Sequence, residues 1–375
     1  MAQARNVFLP LLLVLLSGFL RVSTASAASP SVGTVTPASG KSAPDQSVSI
    51  IAASSDPDGW SNLTDVRLLV NTSTAMVNAV CVRYDRSANK LYLLDDAGTT
   101  WLGGVAPGSA TTLENSWGRL YCAQTIIAGS GTTLTVTWQI SFKSAFAGKT
   151  YNTDLWAQDD TTSVGWIQRG TWVVDGTPPT TPVVADDGQY TASRTQLHAT
   201  WGSSDPEAGV VEYQYQITRD SAAGAVMVPW TSTGTSAQVT RTGLSLIQGV
   251  KYFFSVKARN GVNLWSAIGA SDGIFVDVNV PLIGTITPPD GTTYTDGDSV
   301  RITVAASDAD GDLLQYQFLA DGVVKQAWSS TASWTWNTAG VIREHQITIQ
   351  VRDPYTRQVG KNFKLFGYRK PRGTP

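Results

Sequence analysis

Three stretches of the chain run from a strand-like segment straight into carboxylates at alternate positions: "SIIAASSDPDG" (49–59), "HATWGSSDPEAG" (198–209) and "ITVAASDADGD" (302–312). Side chains of this type and spacing suit two kinds of work. A hard cation such as Ca²⁺ takes six to eight oxygens at about 2.3–2.6 Å, and clustered carboxylates supply them. An aspartate before Pro or Gly, on the other hand, caps its own turn and needs no ligand. The EF-hand pattern is absent: Gly311 stands fourth from Asp308, and the twelfth residue is Leu319.

Other residues that could do chemistry are sparse. The two histidines, His198 and His345, fall in different strand-like segments, and neither adjoins a serine or cysteine in sequence. "GASDG" (269–273) spells G-x-S-x-G, but a nucleophile elbow needs a strand–turn–helix within an α/β sheet. Doublets of aspartate occur at 95–96, 159–160 and 186–187, yet neighbours on a strand point to opposite faces and do not make a facing acid–base pair. No H-E-x-x-H, Walker loop or dinucleotide fingerprint is present. These features predict a protein that is not an enzyme, with no catalytic residue and no organic cofactor.

The elements that would position the carboxylates are strands. "LTVTWQISF" (134–142), "YFFSVKAR" (252–259), "SVRITVAAS" (299–307) and "HQITIQVRD" (345–353) alternate apolar and polar residues at period two. Sustained helical periodicity is confined to the leader, and turn clusters rich in Gly, Asp, Asn and Pro punctuate the rest. The class expected is all-β: three tandem immunoglobulin-like or fibronectin type III sandwiches after a signal peptide.

That leader is residues 1–27: Arg5, an apolar run "VFLPLLLVLLSGFL" (7–20) and a small-residue "ASA" at 25–27. Fourteen apolar residues ending at Arg21 are too short to span about 30 Å of hydrocarbon. Cleavage would leave 348 residues with 25 basic and 29 acidic side chains, net −4. A secreted or cell-surface protein is expected, with no transmembrane segment in the mature chain. Nucleic acid is excluded as a partner for want of basic charge. The sequons "NLT" (62–64) and "NTS" (71–73) matter only in a host that glycosylates there.

Proline-bearing joints at "DGTPPTTP" (175–182) and "DVNVP" (277–281) divide the mature chain into domains at 31–174, 177–277 and 281–367, followed by a basic tail, 368–375. The middle segment resembles a fibronectin type III domain through "LHATWGSSD", "VEYQYQI", "GLSLIQGVKYFFSVKARN" and "NLWSA". The resemblance implies that Trp201 and Tyr252 fill the core, with the phenol oxygen of Tyr252 on a backbone partner. The last segment resembles bacterial Ig-like domains through "ITPPDGTTYTDGDSVRITVAASDADGD", "WTWNT" and "GVIREHQITIQVRD". This implies framework positions for Trp336 and His345. The first segment reads as Ig-like only at its edges, around an elaborated middle.

In such folds the B–C and F–G loops share the end at which the chain enters. Asp308, Asp310 and Asp312 should therefore approach Asp277 and Asn279 of the joint, with Asp353 arriving from the F–G side. Asp205 and Glu207 should likewise approach Asp175. These are the metal-ligating candidates, an arrangement similar by analogy to cadherin joints. Cys81 and Cys122 are expected to oxidise to one disulfide on export, closing about 42 residues and contributing roughly 4 kcal/mol. The partner expected is a protein or glycan at the cell surface. The aromatic residues Trp328, Trp334 and Trp336 offer an alternative role as a carbohydrate-binding accessory of polysaccharide processing.

Overall fold

The computed structural model describes residue 1 and residues 28–369 apart from 341 and 356. Residues 2–27 of the expected signal peptide and 370–375 of the expected tail lie outside the described residues. No helix among the described residues is long and apolar enough to cross a membrane.

Alternation at period two decides the architecture. Thr133–Phe142, for example, buries Leu134, Val136, Trp138 and Ile140 on one face and leaves the residues between them half exposed. A sheet built of such strands hides one face against a second sheet. The chain divides into two compact units, 1–174 and 175–375.

In the first unit a six-stranded sheet is ordered Ser31–Thr36, Val48–Ser55, Thr133–Phe142, Gly118–Tyr121 and Thr112–Glu114, with Ile126–Ser130 also paired to Thr133–Phe142. Its partner runs Ser39–Ser42, Ser163–Val174, Lys149–Gln158, Asp65–Asn71, Val80–Asp85, Lys90–Leu94 and Trp101–Val105. The core between them holds Ile50, Leu68, Val82, Trp138, Phe142 and Leu155. The antiparallel strands from 80 to 105 extend this second sheet at one edge.

The second unit contains two sheet pairs. The first combines Val183–Asp186, Gln196–Gly202 and Gln238–Thr242 with a sheet ordered Tyr190–Thr191, Ile274–Val276, Lys251–Asn260, Val210–Arg219 and Ala225–Gly234. Trp201 stacks on Tyr215 at 6.2 Å in its core. The hydroxyl of Tyr252 accepts the Ile247 amide at 3.0 Å, the backbone contact expected of it. The other pair combines Leu282–Thr287, Ser299–Ser307 and Ser333–Asn337 with Thr292–Thr295, Gln358–Tyr368, Glu344–Arg352, Gln315–Ala320 and Val323–Ser329. Trp336, Phe318, Ile347 and Ile349 fill that core.

The expected disulfide is not formed, and Cys81 and Cys122 are two separate buried thiols. Strand periodicity is the reason. Val80, Val82 and Tyr84 point into the main core, so Cys81 faces the other side, in a small outer cluster with Leu69, Ala79 and Leu94. Cys122 belongs to the main core between the sheets. Burial pushes the Cys81 thiol up to about 12 and raises that of Cys122 as well.

Candidate acidic site at 277–353

The turn and the cluster turn out to be one structure. In "SDADGD" the Gly311 amide donates to the Asp308 carbonyl at 3.2 Å, and Gly311 takes φ of 80°, a conformation open to glycine. The Asp310 amide donates to Asp308 Oδ1 at 2.8 Å. This local bonding ties the backbone into a tight turn.

Asp277, Asp310 and Asp312 each bring a carboxylate oxygen to within 4.8 Å of the others. Asn279 fixes Asp310, donating from Nδ2 to Oδ1 at 2.7 Å and from its amide to Oδ2 at 3.3 Å. Asp353, 1% exposed, ends the strand Glu344–Arg352, and its Oδ1 accepts the amides of Tyr355 and Arg357, both at 2.9 Å. Gln248 donates to Asp277 Oδ1 at 3.3 Å. The remaining oxygens, Oδ2 of Asp277, Asp308, Asp312 and Asp353, are buried and accept no hydrogen bond.

Burial raises the carboxyl pKa of Asp277, Asp312 and Asp353, and neighbouring carboxylates of the same group push the same way. Among the described residues the cation paired with this group is Arg357, whose Nε lies 3.6 Å from Asp277 Oδ2 and whose guanidinium also donates to the backbone carbonyls of Asp277 and Asn279. One guanidinium faces five carboxylates. The same loop carries Tyr355, whose ring packs 5.6 Å from both Tyr190 and Phe275 of the preceding sheet pair. The five residues singled out from sequence, Asp277, Asp308, Asp310, Asp312 and Asp353, thus lie together. Arg357 and Gln248 were not foreseen: Arg357 reaches across to the backbone of Asp277 and Asn279, and Gln248 comes from a turn within the preceding sheet pair.

The second cluster, Asp175, Asp205 and Glu207, also brings its carboxylates within 4.8 Å of one another. Here Asn260, fully buried, donates from Nδ2 to Asp175 Oδ2 at 2.8 Å and to Asp205 Oδ2 at 2.9 Å. Sequence reasoning missed this residue, although its position at the end of "SVKARN" matches that of Asp353 at the end of "IQVRD".

Elsewhere the polar candidates are spent on structure. His198 Nδ1 bonds Asp187 at 2.6 Å and His345 Nδ1 bonds Asp321 at 2.7 Å. Ser271 of "GASDG" is buried, and its Oγ accepts the Phe254 amide at 3.2 Å. Each of the 13 tryptophans has a structural place. Trp138, Trp172, Trp201 and Trp336 are buried, and Trp60, Trp117, Trp166 and Trp334 pack on core clusters. The rest have a cation against a ring: Arg67 is 3.9 Å from Trp156 and 5.3 Å from Trp101, Lys257 lies between Trp230 and Trp265, and Arg352 is 4.3 Å from Trp328. The expected aromatic set Trp328, Trp334 and Trp336 is therefore split, with Trp334 and Trp336 stacked at 6.0 Å on the last core.

These paired sheets define an all-β chain of sandwiches. Residues 281–351 match the family model of the bacterial Ig domain. No curated protein matches the chain. Among solved structures it is similar to the fibronectin(III)-like modules of Clostridium thermocellum CbhA, at 18% identity and a TM-score of 0.36, over 50% of this chain and 95% of that one. It is also similar to the FN1–FN3 domains of chicken CNTN1, at 12% identity and a TM-score of 0.27, over 89% and 99% of the two chains. Protocadherin gamma B2 extracellular cadherin domains 3–6 give 13% identity and a TM-score of 0.27, over 88% and 84%.

Proposed function

We propose that the chain is an exported, non-catalytic string of three β-sandwich domains, 31–174, 177–277 and 281–367, that acts as an extracellular or cell-surface spacer and interaction protein. Its joint at 277–281 is held by Ca²⁺ bound to Asp277, Asp308, Asp310, Asp312 and Asp353. The single observation that carries this is the set of buried carboxylate oxygens without a donor. Each unsatisfied buried acceptor costs free energy, and like charges close together add to it. Clustered carboxylate oxygens without donors suit a hard cation, which takes oxygen ligands at about 2.3–2.6 Å. Such an ion would lock Tyr355 against Tyr190 and Phe275 and fix the angle between the last two sandwiches.

The test is calorimetric titration of the purified chain with Ca²⁺, with small-angle scattering in Ca²⁺ and in EDTA. Binding at one site, with a narrower distribution of interdomain angles in Ca²⁺, is expected. No heat and an unchanged scattering envelope would refute the metal-held joint. Turnover of any substrate, abolished by one substitution, would refute the non-catalytic assignment.

A further inference from the structure

The two acidic clusters of the second unit share one corner, and the residue that closes it is Asn260 in the first and Asp353 in the second. Asn260 Oδ1 accepts the amides of Val262 at 3.1 Å and Leu264 at 2.8 Å, two and four residues on. Asp353 Oδ1 accepts the amides of Tyr355 and Arg357, again two and four residues on, both at 2.9 Å. Both residues are buried; Asn260 ends its strand and Asp353 directly follows its own. The first oxygen thus does identical work in each, which leaves the second atom in the equivalent place.

In the 175–207 cluster that second atom is an amide nitrogen. It bridges Asp175 Oδ2 and Asp205 Oδ2 and reaches the Thr177 carbonyl at 3.1 Å. In the 277–353 cluster it is Asp353 Oδ2, which has no donor, and the counterparts of the two bridged oxygens, Asp277 Oδ2 and Asp308 Oδ2, have none either. An amide N–H₂ offers two donors and a carboxylate only acceptors. We infer that the Asn260 amide stands in for a cation: it closes the 175–207 cluster permanently, while Asp353 leaves the 277–353 cluster open to a divalent metal. The chain then carries one metal-independent corner, closed by the Asn260 amide, and one metal-dependent corner, where Asp353 stands in its place.

The inference rests on the calcium assignment for the identity of its ion, and the experiment separates the two. The full chain, Asn260→Asp and Asp353→Asn are titrated with Ca²⁺ by calorimetry and melted in EDTA and in Ca²⁺. Expected stoichiometries are one, two and zero. In EDTA, Asp353→Asn should melt above the wild type, because its new amide supplies the missing donors, and Ca²⁺ should not move its transition. Two sites in the wild type would overturn the inference, as would a folded Asn260→Asp that gains none. If the wild type binds no Ca²⁺ but Asn260→Asp binds one, the amide's role stands and the calcium assignment of the 277–353 cluster falls. Should Asn260→Asp fail to fold, Asp353→Asn decides: a lower melt in EDTA, or an undiminished Ca²⁺ shift, overturns the inference.

Discussion

Native alkylation of the two thiols gives the sharpest check on how the first unit is built. With its pKa pushed up to about 12 from an ordinary 9.0, Cys81 presents about one thiolate in 10⁴ at pH 8, against about one in ten for an ordinary thiol. Reaction with iodoacetamide should therefore be slowed at least about 10³-fold by ionisation alone, before burial is counted. Cys122 is fully buried between the sheets and its thiol is raised too. Intact-mass analysis of unreduced protein should show no adduct after native treatment and two after treatment in denaturant. The companion substitution Cys81→Ala empties part of the outer cluster and should cost about 1–2 kcal/mol, with or without reductant. If unreduced, denatured protein takes up no label until reductant is added, the thiols are bridged and the placement of Cys81 on the outer face is wrong.

Three further outcomes follow from individual contacts. Asp154 is buried with an unpartnered Oδ2, and burial raises its pKa, so its favourable protonated state is present at low pH and lost as pH rises through the folded value. Asp154→Asn should accordingly raise stability by about 1 kcal/mol at pH 7, with the gain vanishing below the usual carboxylate range, as read from thermal melts across pH. Tyr252→Phe leaves the Ile247 amide without its acceptor and should cost about 1–2 kcal/mol in denaturant unfolding of the second unit; a neutral effect would count against the assigned bond. Asn71 of the "NTS" sequon is buried and donates to the carbonyls of Ala75 at 2.6 Å and Val77 at 3.3 Å, so expression in a glycosylating host should leave it unmodified by peptide mass mapping.

The period-two strands, the Trp201 and Tyr252 core positions and the meeting of Asp277 with the 308–312 loop were all legible in the sequence. The strands show in local alternation, whereas the two core aromatics and the approach of Asp277 to that loop follow from the resemblance to known sandwich folds. What escaped depended on longer range. Cys81 and Cys122 looked like partners because spacing says nothing of which sheet face a side chain takes, and a shift of one residue reverses it. Asn260 carried no metal-ligand signature, since its role is to donate where a ligand would accept. Arg357 follows Asp353 by four residues and Gln248 reaches Asp277 across its own sheet pair, and neither carries a ligand signature in the sequence.

In every sandwich the entering chain crosses to the other sheet and lies parallel to the final strand: Ser39–Ser42 beside Thr171–Val174, Tyr190–Thr191 beside Phe275–Val276, and Thr292–Thr295 beside Leu365–Tyr368. Tension applied through the ends of such a module shears this clasp along its length, because the two strands are drawn in opposite directions and their bonds share the load instead of breaking one at a time. The outer two clasps join four residue pairs each and the middle one only two. A tether made of these modules would therefore yield first at its centre, lengthening by one unravelled module while the flanking two still hold.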